Sequence, residues 1–368
     1  MSVTLSDSTA ANRARVQRST RASLVGLVVS IIVVAALAYG PYAFLSKGNQ
    51  QNLTTLFIYI ILGTMWNLLA GYAGMVSIGQ QAFIGIGAYG IVYAADILGL
   101  GLWIGLVLAL VISGIVAHLV SFLAFRLSGG YFAIGTWVIA EVIYLITTQF
   151  DTLGAGAGIS LTTFRGYKPE IRIAVVYWIA LAAVVVAVAV TYLLLRSRLG
   201  AGFTAVRDDA TAAATLGVNV TRSRRIAWVV AAMGCGLAGT LLAMTTLNVQ
   251  PGSVFKIQWT AFMIFIVIIG GIGTIEGPII GAIVFYALER YVGDVGFWYL
   301  VILGIIAIAM VLFLPKGLWG LISRGGRLQL FPTGLRLATP LVTPLATPLA
   351  TTTSPTSGTP PTTSAEDL

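Results

Sequence analysis

Seven apolar runs of roughly 20 residues each, separated by short segments that hold most of the charge, decide what this chain can fold into. They cover residues 24–45, 53–70, 102–125, 131–150, 173–195, 226–247 and 297–314. A helix needs roughly 20 apolar residues to cross the hydrocarbon core. Lipid offers no partner to backbone N–H and C=O groups, so a spanning segment must satisfy them internally. The pattern therefore predicts an all-α polytopic membrane protein. Two further regions need a decision. Residues 82–98 are apolar but short and glycine-rich. Residues 259–288 are too long for one span and are broken by Gly270-Gly271-Ile272-Gly273-Thr274-Ile275-Glu276-Gly277-Pro278, which reads as two short helices around a tight turn. The expectation is about ten transmembrane helices.

Charge placement tests that count. Only 9% of the 368 residues are charged, against about 25% in soluble domains. A net charge of +9 would suit nucleic acid, but the basic residues lie in loops between apolar runs, and that excludes a groove-binding face. With the N-terminus inside, fifteen of the 21 Lys and Arg fall in inner segments. Six of these, Arg196, Arg198, Arg207, Arg222, Arg224 and Arg225, lie in residues 196–225. The outer segments hold Lys47, Arg165, Lys168, Arg172, Lys256 and Arg290. This is the direction the positive-inside rule requires, and ten spans place both termini in the cytoplasm. The expected organisation is a cytoplasmic arm over 1–23, a membrane domain over 24–320 and a cytoplasmic tail over 321–368. From about residue 338 the tail repeats Thr-Pro-Leu and is too poor in apolar surface to pack, so disorder is expected there. The arginines, the apolar stretch and Ala36-Leu37-Ala38 also have the form of a signal peptide, though a retained anchor is the simpler reading.

Enzyme chemistry finds little support. One cysteine, Cys235, and one histidine, His118, exclude a disulfide framework and a multi-Cys/His metal site built from this chain alone. Neither His-Glu-x-x-His nor Gly-x-Ser-x-Gly occurs, and none of the four lysines completes a P-loop. The expectation is a non-enzymatic transporter subunit with no cofactor of its own; any ATP must be bound by another subunit.

Two regions carry functional signals. The first is a broken helix at Gly71-Tyr72-Ala73-Gly74-Met75-Val76-Ser77-Ile78-Gly79-Gln80-Gln81. Such irregular backbone is tolerated in a membrane only if buried in protein or lining a cavity. Gly71, Gly74, Ser77 and Gln80 are candidates for a translocation path, and a plain turn with close helix packing is the alternative. Glu141, near the middle of its span, joins them, because a carboxylate at that depth costs roughly 3 kcal/mol and usually faces a bundle interior or wet cavity; the alternative is a tie between helices. The second region is 196–225. There Asp208 and Asp209 precede Thr211-Ala212-Ala213-Ala214-Thr215, and Gly217 supplies a stop. A short helix parallel to the membrane is expected, flanked by Arg207 and by Arg222, Arg224 and Arg225. A basic loop at anionic headgroups explains the arginines but not the small-residue helix with a defined end.

These residues resemble a known family. Ala212-Ala213 followed by Gly217 is similar to the Glu-Ala-Ala-x-x-x-Gly loop of bacterial ABC importer permeases. Gly71-Tyr72-Ala73-Gly74 through Tyr89, Gly130-Tyr131-Phe132-Ala133-Ile134 with Glu141, Ala205-Val206-Arg207-Asp208-Asp209, Gly270-Gly271-Ile272-Gly273-Thr274 and Leu314-Pro315-Lys316-Gly317-Leu318 resemble the second permease subunit of branched-chain amino acid importers. The resemblance covers about residues 24–320. It implies a multi-pass protein of the bacterial inner membrane that pairs with a second permease, two cytoplasmic ATPases using ATP-Mg and an extracytoplasmic substrate-binding protein. Arg207, Asp208, Asp209, Thr211, Ala212, Ala213 and Gly217 would form the ATPase-coupling loop. Leucine, isoleucine and valine are the implied substrates; urea and other small amino acids or amides occur in the same family. Thr211 departs from the pattern, standing where the loop's glutamate usually sits, so Asp208 or Asp209 would have to supply that charge. A competing class is an ion- or proton-coupled carrier working alone, motivated by Glu141 and the broken helices.

Overall fold

The structure, a computed structural model, describes residues 16–17, 21–43, 45–164, 166–292, 298–323, 330–331 and 336–337. The expectations for residues 1–15 and for the tail beyond 337 lie outside the described residues. The chain divides into two units, 19–334 and 1–18 with 335–368. In the second of these, Val16–Gln17 pairs antiparallel with Arg336–Leu337.

The larger unit is helical. In chain order it contains α1 (Arg21–Ala43), α2 (Lys47–Asn67), α3 (Gln81–Val92), α4 (Gly101–Ala124), α5 (Gly130–Thr148), α6 (Pro169–Arg196), α7 (Arg198–Asp208), α8 (Ala210–Thr215), α9 (Val220–Thr246), α10 (Pro251–Val254), α11 (Gln258–Gly270), α12 (Glu276–Val292), α13 (Trp298–Phe313) and α14 (Gly317–Ile322). α2 and α3 each run on into a π-helical turn, Leu68–Tyr72 and Tyr93–Ile97. Every apolar run expected to be a helix is one. Several extend beyond their apolar windows because the helix starts are polar. α2 begins at Lys47, where the Ser46 side chain accepts from Asn49 N, α6 begins at Pro169, and α9 begins at Val220 with the Asn219 side chain accepting from Arg222 N.

Eight of the described helices, α10 and α11 joined as one and α13 with α14 as another, are long and apolar enough to cross a membrane. Gln81–Ile97 is apolar but shorter, and α12 has 17 residues. The break at 270–277 is real. Gly271 (φ 123°) and Gly273 (φ 76°) occupy backbone conformations that favour glycine, and they turn α11 back onto α12.

α2 lies at the centre. From Phe57 to Asn67 every one of its residues is buried, and α6, α9, α11 and α12 pack around it. α3 packs on α9 through glycine. A Cβ on Gly87 would sit 1.9 Å from Gly236 O, and one on Gly239 would sit 1.9 Å from Ile84 O. Small residues at such positions let backbones approach, which is how helices associate where lipid removes the hydrophobic drive. Gly85 and Gly281 meet neighbours the same way, at the Phe255 ring and Ile266 O. α1 is largely exposed along its apolar window and is tied to α6 by the Tyr177 hydroxyl donating to Leu37 O at 2.8 Å.

Asp96, close to the end of the short apolar segment 82–98, reads in sequence as an interfacial, solvated acid, but in the π turn after α3 it is partnered instead. Its carboxylate accepts from Thr162 N and Thr163 Oγ1. It thereby pins the long loop that pairs through Ile159–Ser160 with Asn248–Val249.

Candidate functional site

Residues 196–225 fold into two short helices between α6 and α9. Ser197 caps α7, its side chain accepting from Leu199 N, and Phe203 and Val206 anchor the helix inward. Asp209 ends α7 and starts α8. Its Oδ1 accepts from Thr211 N at 2.8 Å and Ala212 N at 3.0 Å, satisfying donors that a helix start leaves free. Asp208, by contrast, is the last residue of α7 and bonds to Arg207. α8 stops where Gly217 takes φ 85°, with Gly217 N donating to Ala214 O and Val218 N to Ala213 O. Thr211, Ala212 and Gly217 are exposed, while Ala213 is buried against the chain itself. The most prominent side chain on this edge is Leu216, 82% exposed. It lies within the family-like run, yet its direction depends on where α8 ends, which spacing alone does not reveal.

This segment, the arginine-rich island of residues 196–225, is joined to both helix breaks. Arg207 Nη1 donates to Gly71 O at 2.8 Å, a carbonyl in the π turn that ends the α2 run, while Nε and Nη2 reach Asp208 Oδ1 at 2.9 and 2.8 Å. The ion pair is too exposed to contribute much stability; its effect is to orient the guanidinium. Gly74 (φ 67°) lies against the Arg207 stem, where a Cβ would come within 3.0 Å of Arg207 Cα and Cγ. Asn67 completes the junction. Its Oδ1 accepts from Gly273 N at 2.8 Å and its Nδ2 donates to Thr274 O at 2.7 Å. Gly271 in turn packs against Gly317 at the start of α14. One amide and one guanidinium thus connect the first break, the second break and the island. Asn67 escaped the sequence reading, although a lone amide at the end of an apolar run is the signal that would find it. Glu276 escaped too. It is buried, and its Oε1 accepts from Leu330 N and Phe331 N.

The translocation-path candidates are not brought together. Ser77 and Gln80 are fully buried and bonded locally. Ser77 Oγ accepts from Gly79 N and Gln80 Nε2, Trp66 Nε1 donates to Ser77 O, and the Cys235 thiol donates to Gln80 Oε1 at 3.6 Å. Gly71 is buried beside Asn67 and Gly273. Gly74 lies on the side of Arg207 and is exposed. Glu141 stands elsewhere, on an exposed face of α5 with Ile134, Val138, Val142 and Leu145.

Comparison with known proteins agrees with this architecture. A family model described as the permease component of the branched-chain amino acid transport system matches residues 50–311. The high-affinity branched-chain amino acid transport system permease protein LivM of Salmonella typhimurium is 31% identical over 318 residues, covering 79% of this chain and 74% of that protein. Its Escherichia coli counterpart is 30% identical over the same shares. A probable branched-chain amino acid transport permease protein LivM of Methanocaldococcus jannaschii is 22% identical over 63% of this chain and 77% of its own length. No solved structure matches.

Proposed function

Because this chain belongs to the family of branched-chain amino acid transport permeases, we propose that it is one of two permease subunits of an ATP-driven importer for leucine, isoleucine and valine in a bacterial inner membrane. Cytoplasmic ATPases would grip the exposed edge of α8, formed by Thr211, Ala212, Leu216 and Gly217, and a substrate-binding protein would deliver the amino acid at the opposite end. The ten-span arrangement, counting Gln81–Ile97 and α12 as short spans, keeps the island on the arginine-rich side. With Thr211 in place of the loop's usual glutamate, Asp208 would meet the ATPase, since Asp209 Oδ1 is engaged in capping α8.

The observation that carries this reading is the Arg207 bond to Gly71 O. A docking element must pass its movement to the membrane helices, and Arg207 with Asn67 gives the island a direct connection to both glycine breaks, where a helix bends at least cost. The exposed face of α5 with Glu141 is where the second permease would close the path. A carboxylate facing lipid at that depth costs roughly 3 kcal/mol, and a polar path between subunits removes that cost.

Arg207→Ala tests the coupling. In a reconstituted assembly, ATP hydrolysis should persist while leucine uptake per ATP falls about tenfold, the loss of one charge-assisted hydrogen bond. Unchanged uptake per ATP would defeat the coupling role. Uptake by the purified chain alone, driven by a proton gradient, would instead decide for a secondary carrier.

A further inference from the structure

At the end of the membrane unit opposite the island, α2, α6, α9 and α11 enclose a cavity of about 250 Å³. That is smaller than the roughly 300–1,000 Å³ of sites for drug-sized molecules, so it suits a small metabolite. Its walls differ in chemistry. Ile58, Val176, Leu242, Met244 and Trp259 supply apolar surface, and Gln51, Thr54, Thr55, Thr245 and Thr246 add polar side chains. Arg172, on the first turns of α6, stands at one edge, and among the described residues its guanidinium has no hydrogen bond or ion pair. At another edge is Tyr59, whose hydroxyl donates to Glu289 Oε2 at 2.7 Å. Its phenolic oxygen keeps lone pairs with which to accept, and the bond to Glu289 makes it more electron-rich.

We infer that this cavity is a binding site for a zwitterionic amino acid with an aliphatic side chain, held within this one chain at its outer end; the inference rests on the importer reading and deepens it. Arg172 takes the carboxylate, for which a planar guanidinium fork is suited. The Tyr59 oxygen, backed by the Glu289 charge, takes the ammonium. The aliphatic side chain lies against Ile58, Val176 and Met244. An unpartnered cation beside apolar walls gains more from a ligand carboxylate than an exposed one would, because water competes less there. The same arrangement selects within the family's chemistry. Urea and simple amides carry no carboxylate, so Arg172 gives them nothing, and bulky side chains exceed the limited volume.

Two readouts on the protein in nanodiscs and in its assembly test this. Equilibrium binding of radiolabelled leucine to the purified full-length chain should be competed by isoleucine and valine and about tenfold less well by leucinamide, which lacks the carboxylate. Arg172→Gln should weaken leucine binding about tenfold and abolish the preference over leucinamide, a change that a purely structural role would not produce. Val176→Phe, which fills the cavity and leaves the charges alone, should weaken leucine binding while sparing alanine. Leucine affinity unchanged in both variants, or no leucine binding to the wild-type chain while its assembly imports leucine, overturns the inference and leaves the importer reading standing. An assembly without ATP-driven amino acid uptake defeats the importer reading, whereas Arg172-dependent leucine binding would still uphold the site.

Discussion

α3 and α5 are both short, apolar and glycine-bearing, yet they meet their surroundings in opposite ways. Every residue of α3 except Ile86 is buried, and Gly87 rests on the backbone of α9. α5 buries only Phe132, Thr136 and Ala140 and leaves Tyr131, Ile134, Val138 and Leu145 open. The difference lies in what each helix packs against within the chain. α3 is completed within the chain, by close backbone contact; α5 presents an exposed apolar face that carries a carboxylate. Glycine content does not separate them, but what lies beyond each glycine does.

The largest expected effect follows directly. Gly87→Leu would place its Cβ 1.9 Å from Gly236 O, a backbone atom that cannot swing aside, so α3 and α9 must part. Overpacking costs about 1–3 kcal/mol even where side chains can adjust; here the membrane-inserted chain should fail to accumulate. Gly130→Ala, at the start of α5 where a Cβ meets nothing within 4 Å, should leave accumulation at wild-type level. Equal losses in both variants, read by fluorescence of a C-terminal reporter, would erase the contrast between the two helices.

Sequence and structure part company along the same line. Helix positions were legible because the apolar windows are long, and the break at 270–277 was legible because its glycines interrupt one of them. The close approach at Gly85 and Gly87 could be read from small residues at short spacing. The direction of side chains at a break could not. Ser77 and Gln80 look like path-lining polar residues in sequence, but Trp66, Gly79 and Cys235 bind them into the core. Asp96 looks solvated and instead holds the 159–163 loop. In the island, the small-residue helix and its glycine stop were legible. That Arg207 turns inward to Gly71 was not, because the bond spans 136 positions in sequence.

Glu141→Gln sharpens the contrast from the side of α5. The substitution keeps the side chain's size and removes a charge from an exposed apolar face. The isolated chain should be no less stable to heating, since a mid-membrane carboxylate is itself costly. Leucine uptake by the whole assembly should fall about tenfold if Glu141 works at the face closed by the second permease. Uptake equal to wild type, at equal protein level, would mean that α5 simply faces lipid there.

The smallest effect belongs to the sealed side. Thr240 Oγ1 lies 3.1 Å from Gly87 O on α3 and 3.0 Å from Gly236 O on its own helix, a polar contact across the glycine seam. Hydrogen bonds between helices in a membrane contribute about 0.6 kcal/mol on average, because the separated helices find other partners. Gly87 O also sits within a helix, so it is not orphaned when the hydroxyl is removed. Thr240→Val, close in shape, should therefore lower stability by about that amount in reversible unfolding from detergent micelles. A loss above about 2 kcal/mol would mean that the seam depends on this polar contact more than on the glycine packing around it, and the clash expected for Gly87→Leu would then lose its place as the main reason α3 is sealed and α5 is not.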